Sequence, residues 1–132
     1  MKKILITNLG SSHKTVVNAV LQHSPHELWI VCTSQSEAKI GLVVEDVQAK
    51  GLTMPTLNKT IVLHNDLEDF YQKLHKLLAQ LSADAIITFD ITGGTVPMSL
   101  GAWEATRSFP NVVVTWTDNT EPPQTHVLSH RR

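Results

Sequence analysis

Asp84-Ala85-Ile86-Ile87-Thr88-Phe89-Asp90-Ile91 runs straight into Thr92-Gly93-Gly94-Thr95 and then into Val96-Pro97-Met98-Ser99. The first eight residues read as a strand, the paired glycines as a tight turn, and the last four as the opening of a helix. Pro97 stands near the first turn of that helix, where a missing N–H costs little. Strand, turn and helix in this order form half of a βαβ unit, and the same order recurs on both sides of this stretch. Downstream, Pro110 ends the helix. Asn111 to Thr117 then reads as a fifth strand, so rich in β-branched residues that burial on both faces is expected.

Upstream, Lys3 to Thr7 reads as a first strand and Asn8-Leu9-Gly10-Ser11-Ser12 as its turn. A serine there is expected to cap a helix from His13 to Gln22, with Val16, Val17, Val20 and Leu21 on its apolar stripe. Glu27 to Thr33 reads as the second strand. Ser34-Gln35-Ser36-Glu37 has the S-x-x-E form of a capping box, so a second helix is expected to start there and to stop at Gly51. Gly51 to Asn58 reads as a loop and Thr60 to His64 as the third strand. Asn65 and Asp66 open a third helix, whose Leu67, Phe70, Leu74, Leu77, Leu78 and Leu81 recur at spacings of three and four.

Strands alternating with helices predict an α/β domain: a Rossmann-like parallel sheet of order 3-2-1-4-5 with helices on both faces. Residues 1–118 are expected to form this domain. Residues 119–132 are expected to form a C-terminal tail, flexible or lying at an interface with a partner.

The chain has 132 residues, 42% apolar and 17% charged, which suits one globular domain. A net charge of −1 provides no basic field for a long nucleic acid. Its single cysteine, Cys32, allows no disulfide within the chain. The apolar run after Met1 is too short for a signal peptide or a membrane span, so cytoplasmic localisation is expected. The other histidines, His23, His26, His64, His75, His126 and His130, are scattered, and no metal site or cofactor is expected.

Open parallel sheets bind ligands outside the carboxyl ends of their strands, where the strand order switches. In the expected order that point lies between the first and fourth strands, and the two turns richest in small polar residues follow those two strands. Asn8, Leu9, Gly10, Ser11, Ser12 and Lys14 from the first turn are candidate ligand contacts. Thr92, Gly93, Gly94, Thr95 and Met98 from the second are the others. Glycines admit close backbone approach, and a helix N-terminus attracts phosphate. Neither turn matches G-x-G-x-x-G or G-x-x-x-x-G-K-[ST], so ordinary dinucleotide and Walker-type sites lack their fingerprint. Asp90 is expected to order the Gly-Gly turn through hydrogen bonds.

Asp90-Ile91-Thr92-Gly93-Gly94-Thr95-Val96-Pro97-Met98-Ser99 resembles the TGGTKPMS-type signature of CARF domains, the CRISPR-associated Rossmann fold. Thr7-Asn8-Leu9-Gly10-Ser11-Ser12-His13 resembles the other ligand loop of that family. The resemblance implies a homodimer that holds a cyclic oligoadenylate, often cyclic tetra-adenylate, across its two-fold axis. It also implies a stand-alone member, since 132 residues leave no room for an effector domain. Such members include ring nucleases, which cut the messenger and end type III CRISPR signalling.

In that role Ser11, Ser12 and His13 are the candidate catalytic residues, His13 as general acid or base. The family often has Lys after Gly-Gly-Thr, where Val96 stands here, and Lys14 is a candidate replacement cation. Two alternatives stand beside the ring nuclease. One is a receptor or sponge that binds the messenger without cutting it. The other is an unrelated α/β protein that takes a mononucleotide or phosphorylated metabolite in the same crevice.

Overall fold

The computed structural model describes residues 1–81 and 83–130. Among the described residues six strands form a single sheet: β1 (Lys3–Leu9), β2 (Glu27–Cys32), β3 (Thr56–Ile61), β4 (Ile86–Asp90), β5 (Val112–Thr117) and β6 (Thr125–Leu128). Four α-helices connect them: α1 (Lys14–His23), α2 (Ile40–Ala49), α3 (Leu67–Gln80) and α4 (Val96–Thr106). The strand order is β3-β2-β1-β4-β5-β6, parallel from β3 through β5, with β6 antiparallel at the edge. The expected order 3-2-1-4-5 is therefore present, extended by one strand.

Alternation along each strand divides the core between two faces. Ile4, Ile6, Ile87 and Phe89 meet Phe70, Leu74 and Leu77 of α3 and Ala102 and Ala105 of α4. Leu5, Leu9, Leu28 and Ile30 meet Val16, Val17 and Val20 of α1 and Val43 and Val47 of α2. Of the stripe read on α3, Phe70, Leu74, Leu77 and Leu78 are buried, whereas Leu67 is exposed; Asp66 caps that helix, its Oδ1 accepting from Asp69 N–H at 2.9 Å. Gly51 follows α2 at a φ of +77°, the left-handed conformation that suits glycine at a helix end.

Several local expectations need correction. No serine side chain caps α1; its N-cap is His13. The Ser34–Glu37 box does not open α2 either. The Ser36 hydroxyl turns back to accept from Thr33 N–H at 3.0 Å, and the Glu37 carboxylate is taken by Lys59. A single 3-10 turn, Glu37–Lys39, intervenes before α2 begins at Ile40.

The third strand is Thr56–Ile61, not Thr60 to His64, and it pairs in register from Glu27↔Thr56 to Cys32↔Ile61. As an edge strand it carries polar residues, and Asn58 donates to Glu27 Oε1 at 3.3 Å. That polarity hid it beside the apolar Ile61-Val62-Leu63. β5 is not buried on both faces, since Val113 is 41% exposed and Trp116 45%. The stretch read as a tail supplies β6, which pairs from Val114↔Leu128 to Thr117↔Thr125. Among the described residues, no helix is long and apolar enough to cross a membrane.

Candidate functional site

All strands from β3 to β5 run in one direction, so their carboxyl-end loops share one edge of the sheet. β1 and β4 are neighbours, paired from Lys3↔Ile86 to Thr7↔Asp90. The loop after β1 and the loop after β4 therefore emerge side by side, at the point where strand order switches.

The two loops pack backbone to backbone. A Cβ on Gly10 would lie 2.8 Å from Gly94 Cα, and one on Gly93 only 2.3 Å from the Asn8 carbonyl oxygen. Gly94 has a φ of +89°, and a Cβ there would press on the side chains of Asn8 and Met98. The glycines thus let the two loops touch. Beneath them, the Asn8 side-chain amide and Thr7 Oγ1 are buried and make no hydrogen bond among the described residues. Such groups are uncommon in folded proteins and concentrate where strain or function is stored.

Asp90 locks the second loop to the sheet. It is 2% exposed and accepts from Thr92 N–H at 3.1 Å, from Thr115 Oγ1 at 3.0 Å and from Thr117 Oγ1 at 2.7 Å. The ring of His23 lies 3.8 Å from the same carboxylate. Thr92 in turn accepts from Thr117 N–H at 2.7 Å. Burial acts to raise the Asp90 pKa, but the hydrogen bonds from His23, Thr92 and Thr117 outweigh it and hold the carboxyl below its usual range.

A cavity of about 250 Å³ opens at this edge, and its walls include Leu9, Gly10, Ser11, Thr95 and Met98. The other expected ligand contacts lie around it. Asn8 and Gly93 are buried beneath the loops, Gly94 is against Gly10, and Thr92 is bonded to β5. Ser12 and Lys14 are exposed at the start of α1. His13 is tied to α2, its Nε2 lying 2.7 Å from Asp46 Oδ2.

The opposite wall comes from the loops after β2 and β3, with Thr33, Gln35, Ser36, Lys39 and His64. Sequence reasoning weighed His64 as a strand-end residue that could face the site, and passed over Thr33, Gln35, Ser36 and Lys39 because it followed two loops only. The signal was available: in a parallel sheet every strand's carboxyl end opens at the same edge. Lys39 Nζ donates to the Ser11 carbonyl at 2.8 Å and reaches the Gly10 carbonyl at 3.5 Å. Among the described residues, no Asp or Glu lines the cavity.

The helix termini differ as anion sites. α1 has no side-chain cap, which leaves its first-turn N–H groups open. At α4, Pro97 has no N–H, and Thr95 Oγ1 accepts from Met98 N–H at 3.4 Å. α1 is therefore the better of the two.

His126 and His130 stand four apart, a spacing that on a helix would suit a metal. Here His126 sits on a strand, stacked on Trp116 and bonded to Asp118, while His130 stacks on Trp103. Among the described residues no cluster of His, Cys, Asp and Glu is arranged to hold a metal ion.

Strand order and a cleft at the β1/β4 switch define a Rossmann-type α/β domain. Within that class the fold is shared with parts of three solved structures. It matches Can2 from Sulfobacillus thermosulfidooxidans, solved in complex with cyclic tetra-adenylate, at a TM-score of 0.75 and 17% identity over 88% of this chain. It matches protein VC1899 from Vibrio cholerae at a TM-score of 0.74 and 11% identity over 88% of this chain. A type III CRISPR defence DNA nuclease activated by cyclic oligoadenylate matches at 0.71 and 17% identity over 89% of this chain. The chain spans 32%, 30% and 19% of those three chains, so the likeness is to one part of larger proteins. No protein-family model matches the sequence, and no curated protein does.

Proposed function

We propose that this chain binds cyclic oligoadenylate, with cyclic tetra-adenylate the favoured ring, across a homodimer, and cuts it as a ring nuclease that ends type III CRISPR signalling. The observation that carries this reading is the acid-free cavity at the β1/β4 switch, in a fold shared with a protein solved around cyclic tetra-adenylate. Ser11, Thr33, Ser36, Thr95 and Lys39 line the cavity, bringing hydroxyl residues and one lysine together, which is the chemistry a phosphodiester needs.

The cavity's size supports two copies acting together. At about 250 Å³ it falls below the roughly 300–1,000 Å³ of ordinary small-molecule sites. It takes one segment of a four-nucleotide ring, and a second copy takes the opposite one. A two-fold dimer presents each loop twice to a ring of matching symmetry.

For cleavage, the ring supplies its own nucleophile. A ribose 2′-OH attacks the adjacent phosphorus, the O2′–P bond forms and the P–O5′ bond breaks. The 2′-OH gives up its proton and O5′ takes one, leaving a 2′,3′-cyclic phosphate and a 5′-OH. The protein must hold O2′, phosphorus and O5′ in line and stabilise the phosphoryl oxygens. Ser11, Ser12, Thr95 and the open N–H groups of α1 are the donors for that task. His13 is held through Nε2 by Asp46, which leaves Nδ1 as the ring nitrogen that would carry the proton.

The test is incubation of the protein with labelled cyclic tetra-adenylate without added metal, resolving products over time. Linear products ending in 2′,3′-cyclic phosphate, lost on changing Ser11 and Ser12 to Ala, are expected. One observation favours a receptor that does not cut: Val96 stands where the resembled family often has lysine. Tight binding with the ring intact selects that reading. Failure to bind any ring sinks both.

A further inference from the structure

We infer that Lys39 is the ligand-facing cation of this cavity and directly contacts a phosphate of the bound molecule; the inference rests on the nucleotide reading above for the identity of that molecule.

Three observations carry it. First, Lys39 is half-buried in the cavity wall, and its ammonium faces the loop after β1 rather than solvent alone. Second, its partners are neutral. It donates to two carbonyls, Ser11 at 2.8 Å and Gly10 at 3.5 Å, and forms no ion pair among the described residues. An ammonium has three donors, so one remains for an anion. Third, the acid nearest in sequence is engaged elsewhere: Glu37 pairs with Lys59 of β3. The cavity wall therefore keeps a positive charge in a chain whose net charge is −1.

The position of the family's lysine and its candidate replacement both lie off the cavity wall. Val96, where a lysine often stands in the resembled family, is 72% exposed and is not part of the cavity wall. Lys14 is exposed as the first residue of α1 and is not part of the cavity wall. Lys39 reaches the cavity from the 3-10 turn after β2, across from Thr95.

A merely structural lysine would tie the 3-10 turn to the β1 loop through the same carbonyls. Salt dependence separates the two roles, because only a phosphate contact changes the number of counterions released on binding. The experiment measures cyclic tetra-adenylate affinity across a salt series for wild type, Lys39→Gln, Lys39→Arg and the control Lys50→Gln on the far end of α2.

Lys39→Gln should bind about tenfold or more weakly, and its salt slope should fall by about 0.7 for each lysine removed. Lys39→Arg should keep the slope, and Lys50→Gln should match wild type. Ring binding by Lys39→Gln with unchanged affinity, or weakened with an unchanged slope, overturns the inference and leaves the ring reading standing. Should wild type bind no ring, pyrophosphate is titrated while the amide resonances of Gly10, Ser11 and Ser36 are followed. Shifts in wild type and Lys39→Arg but not in Lys39→Gln keep the anion site and discard the ring. Absence of shifts in wild type discards both.

Discussion

Asp90 shows how one residue joins the sheet to the candidate site. Its carboxylate is buried, yet three threonines and a histidine make ionisation favourable. A carboxyl whose folded pKa lies below its ordinary 3.8 stabilises the fold fully above that value. The contribution is lost as pH falls below it, through the lower folded pKa. Asp90→Asn should therefore cost about 1.5–3 kcal/mol at pH 7. Denaturant unfolding at pH 7 and pH 3 should show the gap to wild type narrowing in acid; a constant gap would mean that Asp90 is not ionised in the fold. Cys32 gives a second residue-level expectation. Burial, helped by Glu37, pushes its thiol up to about 11. Reaction with a thiol reagent at pH 8 should be slow in the native protein and fast once denatured. Rapid native labelling would show that the end of β2 opens readily.

The elements explain why some of this was readable in the sequence and some was not. α3 declares itself, because a single apolar stripe at helical spacing and an Asp N-cap agree. β1, β2, β4 and β5 announce themselves as apolar runs between turns, and with them the switch point. β3 and β6 do not: both are edge strands, and their residues need only pair, so polar Thr56-Leu57-Asn58-Lys59 and Thr125-His126 carry no burial signal. The site was half legible. Glycines and serines mark the loops after β1 and β4, whereas Lys39 and His64 come from turns whose composition is ordinary. The Gly-Gly turn itself is legible for a physical reason: Gly94 sits at a positive φ, and a Cβ there would meet Asn8 Cβ at 2.9 Å. Gly94→Ala should destabilise the domain by about 1–3 kcal/mol. Gly101 makes a comparable demand between helices, since a Cβ there would meet the Phe70 ring at 2.4 Å. Gly101→Ala should lower the melting temperature without touching the cavity loops. If loop resonances move as much as those of α3 and α4, the two sites are coupled rather than separate.

At the scale of the whole molecule, the apolar surface is uneven. α3 and α4 border a groove of about 430 Å³ that includes Leu67, Tyr71, Leu100 and Trp103. Val96 is 72% exposed and Leu100 56%, on successive turns of α4. This face begins at Thr95, on the rim of the cavity, so a second copy seated on it would bring a second cavity beside the first. Such exposed apolar stretches mark interaction surfaces more often than chance allows. The proposed dimer is therefore expected to close along α4. Leu100→Glu places a charge on that seam without disturbing the core, because the side chain is exposed in the single chain. Sedimentation should give twice the chain mass for wild type and the chain mass for the variant, with an unchanged circular dichroism spectrum. Ring affinity should fall about a hundredfold or more, as two linked contacts become one. A variant that stays dimeric moves the seam off α4. A wild-type chain that binds the ring tightly as a monomer removes the need for a second copy altogether.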